Sequence, residues 1–227
     1  MAMEDINLDL TKYPIPRVRH HVSPQVYLPA SQHHTLPAWY PPEIAAADNA
    51  AWFASGSANV LDIGAGRGGF LLRHALAFPE MNILGLEIRN MLVEWVNGVV
   101  DGEGLPNARA LWYSVANGLG FIPDDSISYV TYLFADPWPK KRHHKRRAFT
   151  PELVSEIVRI LAPEGKLFLA SDVEGVMEQQ QEVIEEQGAL TIQPLSTSEW
   201  PFPFATDQQR FCDRKNIPYE MMVATRK

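Results

Sequence analysis

The chain predicts an α/β fold in which a mostly parallel β-sheet carries helices on both faces. Three observations lead there. β-Branched and apolar runs alternate with helically spaced apolar residues over about 180 residues, and parallel neighbours need crossover connections that put helices on the sheet faces. A glycine-rich corner, Gly64-Ala65-Gly66-Arg67-Gly68-Gly69, directly follows the first of those runs. Single acids, Glu87 and Asp136, stand at the ends of two later ones, which is where open α/β sheets bind ligands.

Taken in order, Ala58 to Ile63 reads as the first strand and Phe70 to Phe78 as the helix after the glycine corner. Asn82 to Leu86 is the second strand, and Asn90 to Val100 a helix bearing Met91, Val93, Trp95, Val96 and Val99. Asn107 to Tyr113 and Ile127 to Phe134 supply the third and fourth strands. Pro151 to Leu161 is amphipathic, with Leu153, Val154, Ile157, Val158 and Leu161 on one side and Thr150 as its cap. Gly165 to Ala170 is a fifth strand, Val173 to Gln187 a helix, Leu190 to Leu195 a sixth strand, and Tyr219 to Thr225 an antiparallel carboxy-terminal strand. Upstream, Pro42 to Ser55 predicts a helix with proline at its start.

Residues 1–42 contain Pro14, Pro16, Pro24, Pro29, Pro37, Pro41 and Pro42 without sustained periodicity. They predict an extended or partly disordered arm ahead of a single domain at 43–227. Within the arm, Arg17, Arg19, His20 and His21 offer cations to a phosphate backbone, or form a solvated tail. The pairs His20-His21 and His33-His34 lack the cysteine or carboxylate companions of a zinc site, so no metal is expected.

At 227 residues with 46% hydrophobic content, the chain can bury one full core. Its apolar runs fall short of the roughly 20 residues that a membrane span needs. The acidic segment Met1 to Leu10 lacks the basic and apolar regions of a secretory signal, so a cytoplasmic protein is the expectation. A single cysteine, Cys212, excludes an internal disulfide and reads as a structural thiol. Monomer and homodimer stay open.

The corner Asp62-Ile63-Gly64-Ala65-Gly66-Arg67-Gly68 satisfies both G-x-G-x-G and G-x-G-x-x-G. Glycines let a backbone approach a ligand closely while helix N–H groups point at it. Glu87, about 20 residues on, would accept from a ribose whichever nucleotide is bound. Asp62 suits a cofactor bearing a cation better than a pyrophosphate, and S-adenosylmethionine carries an ammonium and a sulfonium. In that reading Gly64, Gly66 and Gly68 face the cofactor's amino-acid part, Arg89 belongs to the same set, and Ser114 or Asn117 meets the adenine.

The second singular stretch is Ala135-Asp136-Pro137-Trp138-Pro139-Lys140-Lys141-Arg142-His143-His144-Lys145-Arg146-Arg147. It holds six of the chain's 20 Lys and Arg in eight positions, within a protein of net charge −7. A local cation cluster in an acidic chain points to a polyanion gripped at one place. A solvated surface loop is the plain alternative. Trp138 suits either stacking on a base or anchoring the loop.

Together, Asp62 to Gly68, Gly85-Leu86-Glu87 and the Asp136-Pro137-Trp138-Pro139 block with its basic continuation resemble the tRNA (guanine-N7-)-methyltransferase, or TrmB, family, from about Val60 to the carboxy terminus. The resemblance implies a Rossmann-like class I methyltransferase sheet, S-adenosyl-L-methionine as cofactor and tRNA as partner. It implies Asp136 as the catalytic acid. It assigns tRNA contacts to Lys140, Lys141, Arg142, His143, Lys145, Arg146 and Arg147. Asp172 falls near the target base, and Thr206 with Gln209 matches a late Thr-x-x-Glu element. The chain departs from the family pattern at Asp62 (usually Glu), Ser114 (commonly Asp), Gln209 (Glu) and Asn216 (Gly). Two other readings keep the fold: a methyltransferase with a different substrate, and a non-catalytic RNA-binding homologue. A nicotinamide dehydrogenase has only the glycine pattern in its favour.

Overall fold

The computed structural model of the chain describes residues 8–18, 22–45, 52–53, 56–136 and 148–227. Among them, seven strands form one sheet: β1 (Val60–Ile63), β2 (Ile83–Glu87), β3 (Ala108–Trp112), β4 (Ile127–Leu133), β5 (Leu161–Ser171), β6 (Leu190–Pro194) and β7 (Glu220–Arg226). Their spatial order is β3-β2-β1-β4-β5-β7-β6. β1 to β5 pair in parallel, and β7 runs antiparallel between β5 and β6.

The helices are α1 (Gly69–Ala77), α2 (Asn90–Glu103), α3 (Pro151–Ile160), α4 (Val176–Gln187) and α5 (Asp207–Lys215). Successive strand side chains point to opposite faces, and the two cores follow that alternation. Leu61, Ile63, Leu84, Leu86, Val130, Leu167 and Leu169 pack with Leu153, Val154 and Ile157 of α3 and with Met177 and Ile184 of α4. Val60, Ile83, Ala108, Ala110, Phe168 and Ala170 pack on the other side with Phe70, Leu71 and Leu72 of α1 and with Val93, Val96 and Val99 of α2. Thr150 caps α3 by accepting from Leu153 N.

Three differences from the sequence reading have physical causes. The strand β5 begins at Leu161 instead of Gly165, with an irregular register against β4 between Ile127 and Tyr129. The helix α5 was absent from the reading because its nine residues DQQRFCDRK carry almost no apolar periodicity. The helix expected at Pro42 to Ser55 falls mostly on 46–51 and 54–55, outside the described residues; its described flanks, Pro42 to Ala45 and Trp52 to Phe53, are not helical.

The arm also differs. Its described parts carry short 3-10 turns at Leu10–Lys12, Pro24–Tyr27 and Ala30–Gln32, and it lies against the domain. Val26, Ala30 and Tyr40 are buried, packed with Val22, Tyr27 and Ile88. Further upstream, Tyr13 and Lys12 both donate to Glu103 at the end of α2. No helix among the described residues is long and apolar enough to cross a membrane.

Candidate active site

A cleft of about 840 Å³, counted with its open mouth, lies at the carboxyl ends of β1 to β4. Ile63 and Gly64 form its floor, and Leu86 to Arg89 one wall. Tyr113 to Ala116 form a second wall, and Phe134, Ala135 and Asp136 a third. Val22 and Tyr27 of the arm complete it.

Gly64 has φ +82, and a Cβ built there meets no protein atom within 4 Å. That face of the corner is therefore open to a ligand, as a close backbone approach requires. Gly68 serves differently. At φ +68 it starts α1, and a Cβ would stand 2.9 Å from Val96 Cγ2, so its bareness lets α1 pack on α2. Gly66 and Gly68 do not line the cleft; Gly66 contributes its N–H, which donates to Glu87 Oε2 at 2.8 Å.

Glu87 is 3% exposed at the end of β2. Arg89 N and Nε donate to its Oε1 at 2.9 and 2.7 Å, and Arg89 Nη2 donates to Oε2 at 3.0 Å. With the Gly66 bond, all four lone-pair directions of the carboxylate are used. Arg89 thus closes a fork on the acid expected to hold a ribose.

Asp62 is 4% exposed and does not line the cleft. Its Oδ1 accepts from Thr131 Oγ1 of β4 at 2.7 Å. Burial pushes its carboxyl up to about 7; the Thr131 bond pulls the other way and the nearby Glu87 charge adds to the rise.

The two residues expected at the adenine both bond to the arm. Ser114 Oγ donates to Val26 O at 2.7 Å, although Ser114 still borders the cleft. Asn117 lies outside the lining; its Oδ1 accepts from Ala30 N at 2.7 Å and lies 3.0 Å from the Tyr40 hydroxyl. Both side chains are occupied because the arm's turns bring unpaired backbone groups against the end of β3.

Asp136 sits two residues past a strained turn. Phe134 adopts φ +52, rare for a bulky residue, and its N–H donates to Ala170 O at 2.7 Å while its ring packs on Tyr219. This bend carries Ala135 and Asp136 to the cleft rim. Tyr27 Oη donates to Asp136 Oδ2 at 3.2 Å. Residues 137–147, which include Trp138 and the cations Lys140 to Arg147, lie outside the described residues. The residues that flank them, Asp136 and Ala148, both line the cleft.

A protein-family model described as "Putative methyltransferase" matches residues 57–213. A tRNA (guanine-N(7)-)-methyltransferase of Synechococcus sp. is 40% identical over 170 residues, covering 70% of this chain and 67% of that protein. Another, from Thermosynechococcus vestitus, is 39% identical over 165 residues, covering 69% and 75%. The chain belongs to the tRNA (guanine-N(7)-)-methyltransferase family. Among solved structures, the aminoglycoside resistance methyltransferase NpmB1 matches with a TM-score of 0.57 at 16% identity, over 82% of this chain and 95% of that one. The 16S rRNA methyltransferase KamB matches with 0.56 at 15%, over 81% and 93%. These two share the fold of this tRNA (guanine-N(7)-)-methyltransferase family member.

At the far end of the chain two of the expected substrate residues cap a helix. Thr206 and Gln209, expected at the substrate, form the capping box of α5: Thr206 Oγ1 accepts from Gln209 N at 3.0 Å and Gln209 Oε1 from Thr206 N at 2.7 Å. Gln209 is fully buried, with Nε2 3.2 Å from Met221 Sδ. Asp172, past β5, accepts from Gln208 Nε2 at 2.7 Å and does not line the cleft. Sequence reasoning also passed over Tyr27. Its only signal was an aromatic after Pro24, in a segment without periodicity.

Proposed function

We propose that this protein transfers a methyl group from S-adenosyl-L-methionine to N7 of a guanine in tRNA, the variable-loop guanine being the favoured target. The observation that carries the reading is the placement of Asp136 and Ala148: these described residues, on either side of the segment that holds Lys140 to Arg147, both line the cleft. A tRNA gripped by that run is brought to the carboxyl at its base.

The cleft suits the cofactor in the open face of Gly64 and in the acid at the end of β2. When bound, the cofactor supplies an electrophilic methyl on a sulfonium. Guanine N7 carries an in-plane lone pair that is unprotonated at neutral pH, so attack needs no base to remove a proton first. The demand on the protein is placement, with N7 about 3 Å from the methyl carbon and in line with the departing sulfur. Asp136 meets it by accepting from the guanine ring N–H and exocyclic amine. Its charge also offsets the positive charge that grows on the purine. Glu87 accepts from ribose hydroxyls once Arg89 yields part of its fork. The basic run supplies phosphate contacts without sequence preference, and affinity falls steeply with added salt.

Incubating purified protein with cofactor and bulk tRNA, then analysing nucleosides, tests the reading. N7-methylguanosine is expected, together with its loss in Asp136→Ala at unchanged cofactor affinity. An active Asp136→Ala would remove the assigned role, and a product other than N7-methylguanosine the reaction.

A further inference from the structure

We infer that Tyr27 is a positioning residue of the reaction centre, whose hydroxyl orients the Asp136 carboxylate for the target guanine. The inference rests on the methyltransferase reading above and deepens it. The contact joins residues 109 positions apart: Tyr27 Oη donates to Asp136 Oδ2 at 3.2 Å. Tyr27 also lines the cleft, where it packs in one cluster with Val22 and Ile88 and lies near the charges of Asp136, Arg89 and Glu87.

The direction of donation is settled by the surroundings. Burial, and then the neighbouring Asp136 charge, push the Tyr27 phenol far above its usual range, so it stays protonated. A carboxylate offers four lone-pair directions on two oxygens. Among the described residues Tyr27 is the one hydrogen-bond donor to this carboxylate, and two further acceptor directions suffice for the two donors of the guanine edge. Asp136 is exposed on a turn past β4, where an untethered side chain samples several rotamers. The tether removes that freedom, which is the kind of placement that rate depends on here.

The tyrosine is itself held. The residue before it, Val26, is buried and accepts from Ser114 Oγ at 2.7 Å. Three residues after it, Ala30 N donates to Asn117 Oδ1 at 2.7 Å. The arm is pinned to the end of β3 on both sides of Tyr27, so the position of its hydroxyl is set by the sheet.

Tyr27→Phe removes the hydroxyl and keeps the ring. Under single-turnover conditions, the methylation rate of bound tRNA is expected to fall about tenfold, with cofactor Kd and unfolding temperature unchanged. In an Asp136→Asn background the same change should alter the rate by no more than about twofold, because the tether has lost its ionised partner. An unchanged rate in Tyr27→Phe overturns the inference. So do losses that multiply in the double variant, and so does a loss of cofactor binding, which would make the hydroxyl part of the pocket's shape. Wild-type protein that makes no N7-methylguanosine defeats the underlying reading; an active wild type with an indifferent Tyr27→Phe defeats this inference alone.

Discussion

Thr131 of β4 donates its hydroxyl to Asp62 Oδ1 of β1 at 2.7 Å, buried in the sheet and two residues before the open face of Gly64. One hydroxyl does not replace the water that a carboxylate loses on burial, and the carboxyl rises to about 7.

A cationic cofactor near Asp62 favours its ionised form, so binding should be coupled to proton loss. Cofactor affinity is therefore expected to rise with pH between about 6 and 8. Asp62→Asn should flatten that dependence. Stability runs the opposite way: the folded state holds the Asp62 proton in the range between the ordinary carboxylate value and about 7, where the unfolded chain has released it. Stability then falls with rising pH through that window, and Asp62→Asn should unfold at higher temperature than wild type at pH 8. Calorimetric titration and thermal unfolding across pH read both effects; a flat wild-type binding profile counts against the coupling.

Arg89 closes on Glu87 through three hydrogen bonds, with Glu87 nearly excluded from water. Two of these come from the side chain. Removing them by Arg89→Ala leaves a buried carboxylate held by backbone N–H groups alone, which should cost about 2 kcal/mol of stability, discounted for the partial exposure of Arg89. Adding Glu87→Gln to that variant should restore part of the loss. Urea unfolding of the four proteins gives the coupling, and additive losses would show that the fork is energetically idle.

Gln209→Glu restores the residue type usual in the family, yet here it should lower stability by about 1–3 kcal/mol without raising activity. Glutamate can still cap α5 through one oxygen. The other would face the Met221 thioether, in place of an amide that now stands 3.2 Å from Met221 Sδ. A more active variant would support a substrate role for Gln209, and a more stable one would show that the site tolerates the charge.

His74 of α1 is buried among Phe70, Phe78 and Phe202, and neither ring nitrogen finds a hydrogen-bond partner among the described residues. Burial lowers its pKa from 6.5 to about 4. The unfolded chain then binds the extra proton between those values, so stability declines as pH falls through that window, by roughly 3 kcal/mol at pH 4. His74→Leu should remove this decline and raise the unfolding temperature at pH 7. A variant with wild-type acid sensitivity would assign the decline to other groups.

Legibility in the sequence followed the range of the interactions. The glycine corner, Glu87 and Asp136 were readable because each is a local signal, a turn residue or an acid at a strand end. Thr206 and Gln209 were readable as a pair, but their capping box was not, since a capping box and a substrate contact use the same residue types. Phe134 at φ +52 gave no signal, because a strained bulky residue is held by its surroundings, here Ala170 and Tyr219.

The order of amino acids by itself determined the strand-helix alternation, the two-faced sheet core and the acids at the strand ends. Those features rest on periodicities of two and 3.6 residues and on local backbone preference. Only the tertiary structure decided that the proline-rich arm walls the cleft, that Ser114 and Asn117 hold it there, that Arg89 locks Glu87, and that Tyr27 reaches Asp136. Most of these contacts join residues 87 to 109 positions apart, beyond any period that a local pattern can carry. The arm lacks repeating apolar spacing, so its place on the domain is set by backbone groups that find partners at the end of β3.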